Sequence, residues 1–201
     1  TIMAATASPY GLKAVNHLGG TPYAGSTRMY PIASATAINI YYGSVVSVLG
    51  TGFISPNATV GTAAAPFVAG TVGVFVGCTF TDPNSGNVVF RQNWPTGTVA
   101  ADALAYVIDD PAVIFQVQAN GAVTAADLGQ CCSIIAQTTN TGNLTSGNST
   151  TAANAATTAA ADAFKIVGFV DSPTSTVGDA FTDLLVKFNP AAHAYTSGVG
   201  I

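Results

Sequence analysis

The chain has 201 residues, of which only 7% are charged, and its formal net charge is -4. A soluble domain usually has about 25% charged residues, so we expect other protein to cover much of this surface. Phosphate binding needs clustered Lys and Arg, whereas the five basic residues here are scattered, so we expect no nucleic-acid partner. No apolar run reaches the roughly 20 residues that span a bilayer, and no signal-peptide pattern is present, so no membrane association is expected.

Residues 1–31 predict an extended N-terminal arm. Pro9, Pro22 and Pro31 oppose regular structure in this segment, as does the glycine pair at 19–20. Apolar side chains are nevertheless frequent along it and need burial, so we expect the arm to lie across a neighbouring molecule. The candidate interface residues, which include the single Trp of the chain, are Tyr10, Leu12, His17, Leu18, Tyr23, Arg28, Tyr30 and Trp94.

Residues 32–190 predict one all-β domain, a compact β-barrel or β-sandwich of short antiparallel strands. Runs of β-branched and aromatic residues recur between Gly, Pro and Asn residues, which is typical of many short strands. The predicted strands, the first of which begins inside the arm, are 28–32, 39–49, 67–80, 87–93, 103–108, 114–118, 129–137, 164–171 and 183–188.

The stretch GVFVGCTFTDPNSGNVVFRQNW, residues 73–94, predicts a β-hairpin. Pro83 presets φ for a type I turn, and Gly86 supplies the positive φ that the chain needs to return. Strict alternation places Val74, Val76 and Cys78 on one face of the first strand. Both faces of this strand are apolar, as expected for a strand inside a barrel or sandwich.

The segment 138–161 is rich in Thr, Asn and Ala and carries almost no large side chain. Such a segment buries too little area to form a core of its own, so we expect a long surface loop inserted in the β domain. Residues 152–163, which begin inside this segment and end just after it, have the strongest helix propensity of the chain. A short helical turn with Thr124 as cap is expected at 124–128. Residues 191–201 form a predicted C-terminal tail.

The sequence contains no recognisable catalytic or metal-binding motif, so we expect no enzyme activity, no cofactor and no metal. Glu is absent, and the two histidines, His17 and His193, lie in loop-like terminal regions. The acidic pair Asp109–Asp110 precedes Pro111 and is best interpreted as a turn cap; a calcium site joined by Asp171 or Asp179 is the alternative. The cysteines form no Cys-x-x-Cys pair, and a disulfide from Cys78 to Cys131 or Cys132 stays open.

Several segments resemble one group of known proteins. They are SPYGLKAVNHLGGTPYAGSTRMYPIAS at 8–34, YYGSVV at 41–46, GVFVGCTFTDP at 73–83, QNWP at 92–95, AYVIDDP at 105–111, FQVQ at 115–118 and VKF at 186–188. This set resembles virion structural proteins of tailed bacteriophages of aquatic bacteria, including cyanophages. The alternation of Gly and Val around an apolar insertion is similar to capsid decoration, or cement, proteins.

The resemblance implies a non-enzymatic decoration protein on the outer surface of a phage capsid. Its partner would be the major capsid protein, and a homotrimer at local three-fold positions is implied over a dimer, by analogy alone. Such a protein binds across capsomer junctions and stabilises the head against DNA pressure. The alternative is a host-surface or glycan-binding β module of the virion, with exposed Tyr residues or Trp94 as the binding platform.

Overall fold

The structure, a computed structural model, describes residues 6–138, 141–170 and 172–198. As the sequence predicts, the fold is all-β, with antiparallel pairing in two sheets. The described helices are the short 3₁₀ helices Ala125–Asp127 and Pro190–Ala192, and no described helix is long and apolar enough to cross a membrane. The strands are β1 (Lys13–His17), β2 (Arg28–Pro31), β3 (Val45–Val48), β4 (Ile54–Pro56), β5 (Thr71–Thr81), β6 (Val88–Arg91), β7 (Leu104–Ile108), β8 (Val113–Gln118), β9 (Cys131–Cys132), β10 (Phe164–Phe169) and β11 (Asp183–Phe188).

The strands form two sheets whose orders mix early and late parts of the chain. Sheet A has the order β1-β8-β11-β10-β9. Sheet B has the order β2-β7-β5-β3-β4, and β6 pairs with the second half of β5. Each predicted strand overlaps an observed one. The observed strands that the sequence did not predict are β1, which lies in the supposed arm, and β4.

Two hydrophobic cores hold the sheets. The first joins sheet A to one face of sheet B, with Phe115 and Phe164 from sheet A meeting Val74 from β5. The second lies against the other face of sheet B and contains Phe80 and Trp94, whose rings meet edge to face with centroids 5.0 Å apart. Both faces of sheet B are therefore partly buried, which explains why the sequence of β5 is apolar on both sides.

Strand β5 contributes to both cores through its two faces, and a bulge changes the alternation in mid-strand. The pairing of β5 with β7 shifts between Phe75 and Gly77. Val74 belongs to the first core, whereas Phe75 and Cys78 both belong to the second. The predicted placement of Cys78 on the face of Val74 is therefore wrong, because the extra residue of the bulge reverses the alternation beyond it.

The predicted hairpin is confirmed: β5 and β6 are antiparallel neighbours. The Gly86 amide donates to the Asp82 carbonyl at 2.8 Å, and Gly86 has a φ of +69°. Asp82 also accepts a hydrogen bond from the Asn84 amide through Oδ1 at 3.0 Å. The turn is thus fixed by its backbone and by the Asp82 carboxylate together.

The described part of residues 1–31 is not a free extended arm. Residues 13–17 form β1 at the edge of sheet A, paired with β8, and residues 28–31 form β2 at the edge of sheet B. Leu12 is only 1% exposed, and its amide donates to the Gly43 carbonyl at 2.9 Å. The expectation of an arm is corrected for these residues, since their apolar side chains find burial within the chain itself.

The C-terminal segment 191–201 is also attached where it is described. His193 is 1% exposed and belongs to the buried part of the chain. The amide of Ala194 donates to the carbonyl of Thr71 on β5 at 2.7 Å. The segment up to residue 198 therefore packs against sheet B, so the predicted tail is not a separate extension there.

The described part of the insertion 138–161 is only partly a surface loop: residues 143–146 are exposed, whereas residues 149–153 are packed against the rest of the chain. Ser149, Thr151 and Ala153 are almost completely buried. Short bridges place Asn148 beside Tyr42, and Ala153 beside both Ala119 and Ile134. Small side chains allow this close backbone approach, which is why the segment needs no core of its own.

Among the short helices expected from sequence, one is wrong and one is confirmed. Residues 152–163 form bridges and turns and no helix, because tertiary pairing overrides the Ala propensity. The turn after Thr124 is the 3₁₀ helix Ala125–Asp127, and the Thr124 amide donates to Asp127 Oδ2 at 2.8 Å. Local capping chemistry therefore predicted this turn correctly.

We predict that Gly77→Ala destabilises the fold by roughly 1–3 kcal/mol. Gly77 has a φ of +147°, and a Cβ at this position would lie 2.6 Å from Cζ of Phe90. Urea unfolding followed by the fluorescence of Trp94, which is fully buried, measures the change. Gly50→Ala is the matched control, because nothing lies within 4 Å of a Cβ there and its φ is not positive; equal stability of the two variants would contradict the prediction.

Candidate functional site

The eight predicted interface residues divide by burial. Leu12, Tyr30 and Trp94 are 1%, 9% and 0% exposed, so their side chains serve the interior of this chain and are not available to a partner. Burial inside the chain therefore removes these three residues from the candidate surface. The other five are at least partly accessible, and the most exposed apolar one is Leu18 at 54%.

Two of the eight predicted interface residues, Arg28 and Tyr30, belong to a polar cluster that joins an early and a late part of the chain. Asp109 Oδ2 accepts a hydrogen bond from the Tyr30 hydroxyl at 2.8 Å and forms an ion pair with Arg28 Nε at 3.1 Å. The Tyr195 hydroxyl contacts Tyr30 and accepts from Arg28 at 3.1 Å. Burial and these partners raise the pKa of Tyr30. The cluster connects β2, the end of β7 and the C-terminal segment, which is a structural role.

Asp110 caps the turn that follows β7, as the sequence analysis favoured. Its Oδ1 accepts from the Ala112 amide at 2.8 Å, and its Oδ2 lies 3.5 Å from His17 Nδ1. Among the described residues no cluster of three or more His, Cys, Asp or Glu side chains has the geometry of a metal site. Asp171, which the alternative calcium hypothesis invoked, lies outside the described residues.

The candidate functional site is an apolar part of sheet B that sheet A does not cover. Sheet A reaches along β5 as far as Val76, which is partly buried against the first core. Beyond the bulge, the cross-strand partners of Thr79 are Phe90 on β6 and Leu104 on β7, so these three side chains share a face. We call this part the uncovered face; it consists of Met29, Thr79, Thr81, Val88, Phe90, Leu104 and Tyr106.

The uncovered face is well exposed, and the one ionisable group among its own side chains is the Tyr106 hydroxyl; the Asp102 carboxylate accepts a hydrogen bond from the Thr81 hydroxyl at 2.6 Å. Val88, Phe90 and Met29 are 74%, 66% and 57% exposed. The ring of Phe90 lies 5.8 Å from that of Tyr106 and covers Gly77, so the face is a packed surface and not a set of isolated side chains. Contiguous exposed apolar surface of this kind marks interaction sites in soluble proteins.

Sequence reasoning missed the uncovered face, although one signal was present. Two glycines, Gly73 and Gly77, interrupt the β5 pattern, and glycine inside a strand often marks a bulge. A bulge at Gly77 reverses the alternation and would have placed Thr79 and Phe90 on the same side as Val74. The extent of sheet A, which decides what stays exposed, has no signal in the sequence.

Comparison of the chain with protein-family models, with curated proteins and with solved structures found no match.

All three cysteines are free thiols, and two of them are chemically protected. Burial raises the pKa of Cys78 to about 12, and it does the same for Cys132. Cys78 lies in the second core and Cys132 in the first. Cys131 is only partly buried and accepts a hydrogen bond from Asn189 Nδ2 at 3.4 Å.

We predict that only Cys131 reacts with a thiol reagent in the folded protein at about pH 8, because the reactive species is the thiolate. Cys78 and Cys132 stay protonated and inaccessible at this pH. The number of thiols that react with Ellman's reagent should be one in the native state and three in denaturant. Cys131→Ser should abolish the native reaction; a second fast thiol in the wild type would contradict the burial of the other two.

Proposed function

We propose that the protein is a non-enzymatic virion protein that decorates the outside of a phage capsid and docks through the uncovered face. The observation that carries the proposal is the exposed apolar surface formed by β2, β5, β6 and β7. The resemblance of segments across most of the sequence to phage virion proteins names the class of partner, the major capsid protein.

The chemistry of this face suits an assembly protein. Fully burying a side chain such as Val, Met or Phe contributes about 1.5–3 kcal/mol, so burial of the three most exposed members would favour docking. Interfaces tend to exclude charged residues from their centres, and the charged group bonded to the face, the carboxylate of Asp102, lies beside Thr81 at the end of β5. Among the described strands only β5 pairs with β6, so the second edge of β6 is a candidate for pairing with a strand of the partner.

A decoration protein stabilises a shell by binding only its assembled form. Binding to one of two states stabilises that state by RT ln(1 + [L]/Kd), which is about 2.7 kcal/mol per site at a hundredfold excess over Kd. The contribution repeats over every site of the shell. Free energy of this size, summed over many copies, opposes the pressure of packaged DNA.

We predict that capsids stripped of this protein release DNA at a lower temperature than decorated capsids do. The reason is the linkage just described, since only the intact shell presents the binding sites. DNA release is measured with an intercalating dye during a thermal ramp, and purified protein is added back to stripped particles as the control. Identical release temperatures for stripped, decorated and restored particles would contradict the decoration role.

We predict that Met29→Asp and Val88→Asp each weaken capsid binding by roughly tenfold or more, because each places a charge on the apolar contact surface, at opposite sides of it. Leu128→Asp is the matched control, since Leu128 is 55% exposed but lies beside the 3₁₀ helix Ala125–Asp127 and outside the uncovered face. Co-sedimentation with mature capsids measures the affinity. Light scattering measures the mass in solution of the wild type and of the same variants, and so shows whether the face instead joins copies of the chain. A trimer has three times the chain mass of 20.1 kDa.

Loss of binding in both face variants, with the control unchanged, supports docking through the uncovered face. Full binding by Met29→Asp and Val88→Asp would show that another surface contacts the capsid. A wild-type protein that does not co-sediment with capsids at all would reject the decoration role itself.

A further inference from the structure

A cleft lies beside the uncovered face, between sheet A and the end of β6. It has a volume of about 410 Å³, and a second cavity of about 270 Å³ adjoins it through the shared residues Lys13 and Tyr42. The volume of the first lies within the roughly 300–1,000 Å³ typical of ligand sites. The first cavity is lined by Tyr10, Lys13, Tyr42, Gln92, Gln116 and Asn148.

Three distant parts of the chain form the cleft because their backbones cross at one point. Gly43 has a φ of +85°, and a Cβ there would lie 2.9 Å from the Leu12 amide nitrogen. On one side of the crossing, the Tyr42 amide donates to the Gly147 carbonyl at 2.9 Å, which brings Asn148 beside Tyr42. The crossing therefore fixes Tyr10, Tyr42 and Asn148 relative to one another.

The polar side chains of the cleft are held in place by one another. Gln92 Nε2 donates to Asn148 Oδ1 at 2.8 Å. The Tyr10 hydroxyl and Gln116 Nε2 donate to the two carboxylate oxygens of Asp183, at 3.0 and 3.2 Å. In this arrangement the Gln92 and Gln116 carbonyl oxygens and the Asn148 amino group keep capacity for further hydrogen bonds.

We propose that this cleft binds a neutral saccharide. Three carboxamides supply the paired donors and acceptors that match vicinal hydroxyl groups, and the two phenol rings supply flat apolar surface for the C–H face of a sugar ring. This site goes beyond the proposed function, because saccharide binding in the cleft does not depend on docking to a capsid. It also narrows the sequence-based alternative of exposed Tyr residues or Trp94, since Trp94 is buried and the aromatic residues of the cleft are tyrosines.

The charges of the lining favour a neutral ligand over an ionic one. Lys13 is the one ammonium group among the lining residues. The carboxylate of Asp183, which is not a lining residue, already accepts hydrogen bonds from Tyr10 and Gln116. Phosphate and nucleotide sites need several converging cations or backbone amides, which the lining residues do not provide. A purely apolar ligand would leave the carboxamides without partners, at a cost in free energy.

The test is a screen of immobilised neutral oligosaccharides, covering α- and β-glucans, mannans, galactans and N-acetylglucosamine oligomers. The strongest ligand is then titrated by calorimetry against the wild type and against Gln92→Ala and Asn148→Ala. We expect each variant to lose roughly tenfold or more in affinity, as is typical when one member of a paired polar site is removed. Gln130→Ala is the matched control, because Gln130 lies next to β9, outside the cleft.

The outcomes separate this site from the docking surface. Loss in both cleft variants with the control unchanged supports the proposal, provided that their thermal melts match the wild type. Absence of binding to every neutral oligosaccharide at roughly 1 mM, binding to anionic glycans only, or undiminished binding by both variants would each overturn it. Met29→Asp, which alters the far side of the uncovered face, should keep saccharide affinity, and Gln92→Ala should keep capsid binding, so the two proposals can fail independently.

Discussion

The constraint on which the rest of the structure depends is that one strand, β5, must serve two cores. Val74 packs between the sheets, whereas Phe75, Cys78 and Phe80 pack on the opposite side. The bulge before Gly77 reverses the alternation in mid-strand, so Cys78 and Phe80 lie on the same side as Phe75. The same reversal turns Thr79 toward the side of sheet A, beyond its reach. One extra residue therefore places Cys78 and Phe80 in the second core and Thr79 in the uncovered face.

A chain with so few charges must satisfy its buried polar groups by other means. Here neutral side chains bond to the backbone over long sequence separations. Gln137 accepts from the Val45 amide at 2.8 Å and donates to the Val45 carbonyl at 3.0 Å, which ties the start of the insertion to β3. The side-chain amide of Asn57, just after β4, donates to the hydroxyl groups of Ser47 on β3 and Thr71 on β5. Such bonds hold the Thr- and Asn-rich segments in place without ion pairs, so the small residues that resemble loop composition form buried structure.

The sequence predicted the local features well and the long-range ones poorly. Strand β7 was predicted almost to its limits, because Leu104–Ile108 is a short continuous apolar run and Pro111 marks the following turn. Strand β1 was missed because its partner Gln116 is far along the chain, and only that pairing decides between a strand and an arm. Trp94 was assigned to an interface for a similar reason: the chain that buries it, around Ile40, is distant in sequence. The cleft required the crossing at Gly43, which no pattern of neighbours encodes.

The two proposed sites are adjacent, which makes thermodynamic coupling between them possible. Phe90, on β6, belongs to the uncovered face, and Gln92, just beyond the end of β6, lines the cleft. A partner that covers the face at Phe90 would lie against the rim of the cleft, and any change that it causes in saccharide affinity is a coupling free energy. Such coupling is reciprocal: a saccharide that weakened docking would itself be bound less tightly by the docked protein, by the same factor. The sign of the coupling therefore determines whether a capsid-bound copy keeps its cleft open to ligands outside the particle.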